Sequence, residues 1–225
     1  MLVRDHMRRE VITVSPDDTL AAALRITRGH RIRHLPVVLG DNDLIGILSD
    51  RDIRLAMPSP LTVPDSEQLS YLEKTPVAMV MTREVIAVGE EETLEDAAKL
   101  LYSHRIGALP VVDASNRVRG ILSETDILRS FTRILGVSRP SSRVELRLPD
   151  RPGALGRALI ILSEHGLNIM SLILPPNRVD GMKVAVIHLE TIDPREAIEA
   201  LEAAGFEAGW PSLAQDLRKL DVNLA

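Results

Sequence analysis

The sequence predicts an α/β (α+β) protein in which two copies of one β-α-β-β-α unit form a pseudo-symmetric pair, followed by a ferredoxin-like β-α-β-β-α-β domain. Three observations predict this fold class: an internal repeat in the N-terminal part, apolar patterns that alternate between strand and helix periods, and a change of pattern near Val144. Of the 225 residues, 45% are apolar but only 2% are aromatic. The cores must therefore be built from Val, Ile, Leu and Ala.

The repeat has a fixed spacing. Residues 3–54 align without a gap on residues 77–128, and nearly half of the aligned positions are identical. The identities cluster in His-Arg-Ile, Leu-Pro-Val-Val and Gly-Ile-Leu-Ser, which begin at His30, Leu35 and Gly46 in the first copy. Such identity over this length indicates that one unit was duplicated.

Both units contain the same predicted elements. A β-like segment and an acidic helix start precede an amphipathic helix, in which Leu94, Ala97, Ala98 and Leu101 have the i, i+3, i+4, i+7 spacing. A hairpin follows, and a last helix opens at a serine, which is a favoured N-cap. The predicted strands are Val11–Val14, Leu35–Leu39 and Leu44–Leu48 in the first unit, and Val85–Val88, Leu109–Val112 and Val118–Leu122 in the second.

The stretch Gly-Ile-Leu-Ser-x-x-Asp, which occurs in both units, has the chemistry of a nucleotide site. Its glycine, Gly46 or Gly120, lets another group approach the backbone closely. Its serine lies at a helix start, where free N–H groups and the helix dipole favour phosphate. Its aspartate, about one turn later, can accept hydrogen bonds from a ribose diol. A helix cap alone is the alternative for a single copy, and the repetition favours a nucleotide site.

Three patterns shared by both units, Met-x-x-x-Val-Ile-x-Val, His-x-Ile-x-x-Leu-Pro-Val-Val and Gly-Ile-Leu-Ser-x-x-Asp, together resemble the CBS domain family. The resemblance implies a tandem pair, called a Bateman module, that binds an adenosine-type nucleotide such as AMP, ADP, ATP or S-adenosylmethionine. In such pairs the sugar-phosphate motif of one copy faces the adenine pocket of the other. One pocket then combines Ile121, Ser123 and Asp126 with Ile12, Ile32, Arg33 and His34, and the other combines Ile47, Ser49 and Asp52 with Ile86, Ile106, Gly107 and Ala108.

The charged residues near these pockets differ between the copies. The resemblance also implies that Arg31, Arg105 and Arg51 reach a phosphate of the ligand. The pair Arg33-His34 in the first copy corresponds to Gly107-Ala108 in the second, which predicts unequal affinities. If the aspartates only cap helices, the pockets are vestigial.

The pattern divides the chain into six parts. Residues 1–60 form CBS motif 1, residues 61–76 a linker, residues 77–136 CBS motif 2, residues 137–142 a second linker, residues 143–211 a third domain and residues 212–225 a terminal amphipathic helix. The first linker contains a predicted short helix, Ser66–Glu73, with Leu69 and Leu72 on one face.

The third domain reads as β-α-β-β-α-β, with strands predicted at Val144–Leu148, Asn168–Leu174, Met182–Glu190 and Phe206–Trp210. Asp193, Pro194 and Glu196 predict a helix start with a capping box. The stretch Leu-Pro-Asp-Arg-Pro-Gly-Ala-Leu, which ends at Leu155, resembles the ACT domain family. The resemblance implies an amino-acid or other effector site formed by Asp150, Arg151, Pro152, Gly153, Ala154, Leu155, Asn168 and Ile169, or else a domain that acts in assembly.

Several function classes are not supported by the sequence. There is no cysteine, and no histidine cluster or motif forms a metal site or a catalytic site, so we expect no enzyme activity and no required cofactor. The net charge of −5 and the few aromatic residues argue against nucleic-acid binding. No apolar run approaches the length of a membrane helix and the N-terminus lacks a signal sequence, so we expect a cytoplasmic protein with no membrane contact.

These observations predict a non-catalytic regulatory protein that senses ligands. The order CBS–CBS–ACT resembles that of bacterial acetoin utilization proteins, which implies a link to acetoin catabolism. The resemblances also imply a homodimer that acts on an unidentified target protein. The alternative is a structural or assembly subunit of a metabolic enzyme with vestigial nucleotide pockets.

Overall fold

The computed structural model describes residues 1–59, 64–136, 140–176 and 181–210. The chain divides into two compact units, Met1–Leu128 and Arg129–Ala225. The predicted α/β (α+β) class is confirmed in both units. The predicted terminal helix, residues 212–225, lies outside the described residues, as do residues 137–139 of the second linker.

The first unit contains both repeats. In each repeat a helix is followed by an antiparallel hairpin and a second helix. The elements are α1 (Leu20–His30), β1 (His34–Leu39), β2 (Asp43–Ser49), α2 (Asp50–Ala56), α3 (Asp65–Lys74), β3 (Val88–Gly89), α4 (Leu94–His104), β4 (Ala108–Val112), β5 (Val118–Ser123) and α5 (Glu124–Ile134), the last of which runs into the second unit.

The predicted strand Val11–Val14 is wrong. Only Val14 pairs there, in a single parallel bridge to Val37. The predicted strand Val85–Val88 is also wrong except at its last residue, because β3 begins at Val88, from which it pairs in parallel with β4. Pro16 follows two residues after Val14 and has no N–H to extend the ladder. The corresponding position in the second repeat is Glu90, which has that N–H group.

The start of each repeat packs on the other repeat. The backbone of Arg8 exchanges two hydrogen bonds with Ile121, at 2.9 and 3.0 Å, and the backbone of Thr82 exchanges two with Ile47, both at 2.9 Å. The first core cluster accordingly combines Leu20, Leu35 and Leu48 of the first repeat with Val77 and Met81. The two repeats are therefore interlocked and cannot bury their cores independently.

The linker helix α3 buries one side. Leu72 is 2% exposed and Gln68, one turn earlier, is also buried. The prediction that Leu69 shares this buried face is wrong, because Leu69 is 52% exposed. Positions i and i+4 lie closer to one line along a helix than positions i and i+3, so Gln68 rather than Leu69 accompanies Leu72.

The second unit contains a four-stranded antiparallel sheet in the order β7-β8-β6-β9, with one face packed on two helices. This is the strand order of the ferredoxin-like arrangement that the sequence predicts. The elements are β6 (Ser142–Pro149), α6 (Ala154–Glu164), β7 (Ile169–Ile173), β8 (Met182–Leu189), α7 (Arg195–Ala203) and β9 (Glu207–Gly209).

The predicted capping box at the start of α7 is wrong. The helix begins at Arg195, and the Asp193 carboxylate accepts the N–H of Arg195 at 3.1 Å and pairs with its guanidinium. The Glu196 carboxylate lies 3.4 Å from Nδ1 of His165 rather than on a cap N–H. The ion pair between Asp193 and Arg195 thus takes the place of the two side chain–backbone hydrogen bonds of a capping box.

Candidate functional site

Two cavities lie between the repeats, with volumes of about 370 Å³ and 500 Å³, and are here called cavity 1 and cavity 2. Each takes part of its wall from both repeats. The structure brings all residues predicted for one pocket to cavity 1, namely Ile12, Ile32, Arg33, His34, Ile121, Ser123 and Asp126. All residues predicted for the other line cavity 2, namely Ile47, Ser49, Asp52, Ile86, Ile106, Gly107 and Ala108.

The serine and aspartate of each motif are bonded to each other at a helix start. Ser49 donates its hydroxyl to Oδ2 of Asp52 at 2.6 Å, and the N–H of Asp52 donates to the serine hydroxyl at 3.1 Å. Ser123 and Asp126 make the same pair of bonds in the second repeat. This capping box orients each carboxylate. Because Oδ2 of Asp52 accepts the bond from the serine, Oδ1 is the oxygen that can accept a hydrogen bond from a ligand hydroxyl.

An arginine that the sequence reasoning missed contacts one of the two aspartates. Nε of Arg8 lies 3.3 Å from Oδ1 of Asp126, which is only 4% exposed. The corresponding residue on cavity 2 is Thr82. Arg8 comes from the segment that crosses to the other repeat, so only the tertiary fold brings it near Asp126.

His34 forms a wall that both cavities share. Its ring packs on Gly107, where a Cβ atom would lie 2.8 Å from Cε1 of His34. Burial, with a contribution from Arg33, lowers the pKa of His34, although neighbouring carboxylates act in the opposite direction. The imidazole is therefore held in its neutral form and can accept or donate a hydrogen bond at the cavity wall.

Arg31 and Arg105 end α1 and α4 in the left-handed conformation, with φ of 53° and 54°. Residues other than glycine rarely adopt this conformation. Arg31 lines cavity 1 and Arg105 lines cavity 2. The same unusual backbone therefore presents one arginine to each cavity, as the predicted phosphate contact requires. Arg51, the third arginine predicted to contact a phosphate, also lines cavity 2.

The residues predicted for the ACT effector site are only partly brought together. Arg151, Pro152, Gly153 and Ala154 line a cavity of about 340 Å³ with Arg157 and Phe206, which the sequence reasoning missed. The Arg157 guanidinium lies 5.7 Å from the centre of the Phe206 ring. The other predicted residues lie elsewhere: Asp150 pairs with Lys183 at 2.9 Å, Leu155 and Ile169 pack on the core, and Asn168 donates to Glu190 at 2.6 Å.

Two features of the described residues bear on other functions. No group of three or more His, Cys, Asp or Glu side chains among them could hold a metal ion. Within the same residues, every helix is too short or too polar to cross a bilayer.

Comparisons with known families match two parts of the chain. The CBS domain family matches residues 3–59 and 77–133, and the ACT domain family matches residues 142–206. A CBS domain-containing protein of Dictyostelium discoideum is 33% identical over 143 residues, which are 63% of this chain and 99% of that protein. An inosine-5'-monophosphate dehydrogenase of Methanocaldococcus jannaschii is 36% identical over 121 residues, which are 54% of this chain but only 22% of the enzyme.

Solved structures are also similar to more than half of this chain. The CBS domain pair of protein MJ0100, in complex with 5'-methylthioadenosine and S-adenosyl-L-methionine, has a TM-score of 0.50 and 30% identity, and the match covers 62% of this chain and 98% of that one. A Vibrio cholerae protein proposed to act in acetoin utilization (AcuB) has a TM-score of 0.51 and 30% identity, over 61% of this chain and 95% of that one.

Proposed function

Because this chain belongs to the CBS domain family and carries an ACT domain after its CBS pair, we propose that it is a non-catalytic regulatory protein that binds an adenosine-type ligand between its two CBS repeats. The observation that carries the proposal is the assembly of both motif aspartates and their predicted partners around two cavities. The related MJ0100 pair, which was solved with methylthioadenosine and S-adenosylmethionine, supports this ligand class.

The residues suggest how each cavity would hold the ligand. The branched side chains, such as Ile12 and Ile32 in cavity 1, provide the apolar walls that a purine needs. The motif aspartate accepts hydrogen bonds from the ribose hydroxyls, and the adjacent helix start and arginines face the 5' substituent. Because both repeats supply the walls, a ligand stabilises one arrangement of the pair, and this is a means of regulation.

A thermal-shift series with AMP, ADP, ATP, methylthioadenosine and S-adenosylmethionine tests the proposal. A ligand that binds only the folded chain stabilises it by about 2.7 kcal/mol at a hundred times its Kd, so the melting temperature should rise. We expect Asp52→Ala and Asp126→Ala each to reduce the shift. Asp17→Ala, which replaces an exposed aspartate outside both cavities, is the matched control. Wild-type shifts in both motif variants would contradict the site, and no shift with any ligand would contradict the function.

The target of this regulation is also a proposal. One candidate is a role in acetoin utilization, supported by the Vibrio cholerae protein. The other is a regulatory or assembly part of a metabolic enzyme, supported by the dehydrogenase relative, in which the matching region is a minor part of the enzyme. Affinity capture with the full chain, with and without AMP, separates them by the protein retained.

A second ligand site is proposed in the ACT domain. The cavity at the start of α6 is lined by two arginines and by an aromatic ring, and none of the described residues that line it is a carboxylate. A carboxylate group, such as that of an amino acid, fits this chemistry. We further propose a homodimer, as the family resemblance implies, which sedimentation velocity measures directly.

A further inference from the structure

We propose that the two cavities select adenosine ligands by charge: cavity 1 takes a phosphorylated ligand, and cavity 2 takes one without net negative charge. This inference rests on the proposed function, because it assigns a ligand class to each of the two sites. It follows from a difference in charged side chains, of which the repeat shows only part, such as the replacement of Arg33 by Gly107.

The charged residues of cavity 1 leave an excess of positive charge. Three arginines and two carboxylates line it. Arg8 and Asp126 form an ion pair at 3.3 Å, so their charges offset each other. Among the described lining residues, Arg31 and Arg33 then face Glu10, so two guanidinium groups stand against one carboxylate, although Arg33 also lines cavity 2. A phosphate in this cavity gains charge-assisted hydrogen bonds and meets little repulsion.

The charged residues of cavity 2 are balanced. Four arginines and four carboxylates line it, and one pair, Arg54 and Asp50, is joined at 3.0 Å. The three other arginines, which include the shared Arg33, are equal in number to the remaining carboxylates among the described lining residues, Asp52, Glu84 and Glu124. A phosphate here is repelled by the carboxylates as well as attracted by the arginines, so it gains less than in cavity 1. An uncharged thioether carries no charge to be repelled, and for a cationic sulfonium the carboxylates offset the repulsion of the arginines.

The difference arises at the centre of the pair. Asp50 and Glu124 directly follow the two motif serines and occupy equivalent repeat positions, yet both line cavity 2. Gly107 accounts for this placement: without a side chain there, the Glu124 carboxylate approaches to 3.8 Å from the position that a Cβ atom would take. The first repeat has Arg33 at the corresponding position, and its side chain adds positive charge instead.

The test uses AMP and methylthioadenosine, two adenosine compounds that differ only in the 5' substituent. Ile12→Trp and Ile86→Trp are repeat-related, uncharged substitutions that each fill one cavity. Calorimetric titration of Ile86→Trp, with cavity 1 open, should show AMP binding about tenfold tighter than methylthioadenosine. Ile12→Trp, with cavity 2 open, should show the reverse preference. The same ratio of affinities in both variants would overturn the proposal.

Two further variants keep the test decisive if a tryptophan prevents folding. Glu124→Gln removes one charge from cavity 2 and should raise AMP affinity there severalfold, while Arg8→Gln should weaken AMP binding in cavity 1 severalfold. AMP affinities unchanged by both would contradict selection by charge. If wild-type protein binds neither compound, the proposed function fails with the inference; if it binds both with one common preference, only the inference fails.

Discussion

The single residue His34 lines both cavities, as do Arg33 and Ala108. The His34 ring lies between the two cavities against Gly107, and Asp50, Asp52 and Glu124 are the nearby carboxylates that favour its charged form. Burial outweighs them and lowers its pKa below 6.5. The folded chain therefore favours the neutral imidazole of His34, whereas in the unfolded chain the same imidazole binds a proton more readily.

A pH dependence of stability follows from this lowered pKa. Below about pH 6.5 the unfolded chain binds the extra proton, so the free energy of unfolding should be highest above that pH and should decrease as the pH falls. Burial lowers the pKa of His188 too, and its effect has the same sign. Urea unfolding between pH 7 and pH 5 should give a shallower decrease for His34→Asn than for wild type. The exposed His104→Asn is the control, and an unchanged slope for His34→Asn would contradict the assignment.

Every residue that the sequence predicted for cavity 1 or cavity 2 lines one of them, but many of the residues around these cavities were not predicted. Among the charged residues that were missed are Glu10, Glu84 and Glu124. The motif serines and aspartates could be predicted because duplication marks them and capping is local. Arg8 is remote in sequence from Asp126, so no local rule connects them. Phe206 was missed at the ACT cavity for the same reason, because it comes after the last helix of that domain.

At the scale of the element, the crossed starts of the repeats hold the CBS pair together. The Met7 side chain packs on Gly120, and that of Met81 on Gly46. The sequence predicts that another group approaches the backbone closely at these glycines. The structure shows that the group is a methionine of the other repeat, together with the backbone beside it. Hairpins could be predicted from turn chemistry, but this exchange could not, because either repeat offers an equivalent surface.

Gly120→Ala should therefore destabilise the chain. The new Cβ atom would lie 3.1 Å from the carbonyl oxygen of Arg8 and would overlap the sulfur of Met7. The sulfur can move, but the carbonyl is held by the bond from Ile121, so we expect a loss of about 1–3 kcal/mol in the free energy of unfolding. Chemical denaturation measures it.

Gly29→Ala is the matched control. Gly29 lies within α1 with open space around it, and alanine there should stabilise the helix by up to about 1 kcal/mol. If both substitutions have the same effect on the free energy of unfolding, the close contact at Gly120 does not limit stability.

In the whole molecule, a CBS pair and an ACT domain are joined in one chain, and each has its own cavity or cavities. The CBS pair makes its cavities from both repeats, so we expect a ligand bound there to act on the arrangement of the repeats. The order of domains was predictable because each has its own motif and periodicity. The described sheet of the ACT domain also has the predicted strand order.

Methyl NMR of isoleucine-labelled protein, titrated with AMP and methylthioadenosine, tests whether an adenosine ligand binds between the repeats. We expect shifts for the isoleucines that line the cavities, such as Ile12 and Ile121 in cavity 1 and Ile47 and Ile86 in cavity 2. The buried Ile187 of the ACT domain should not respond. Shifts confined to the ACT domain, or none with either compound at millimolar concentration, would contradict binding between the repeats.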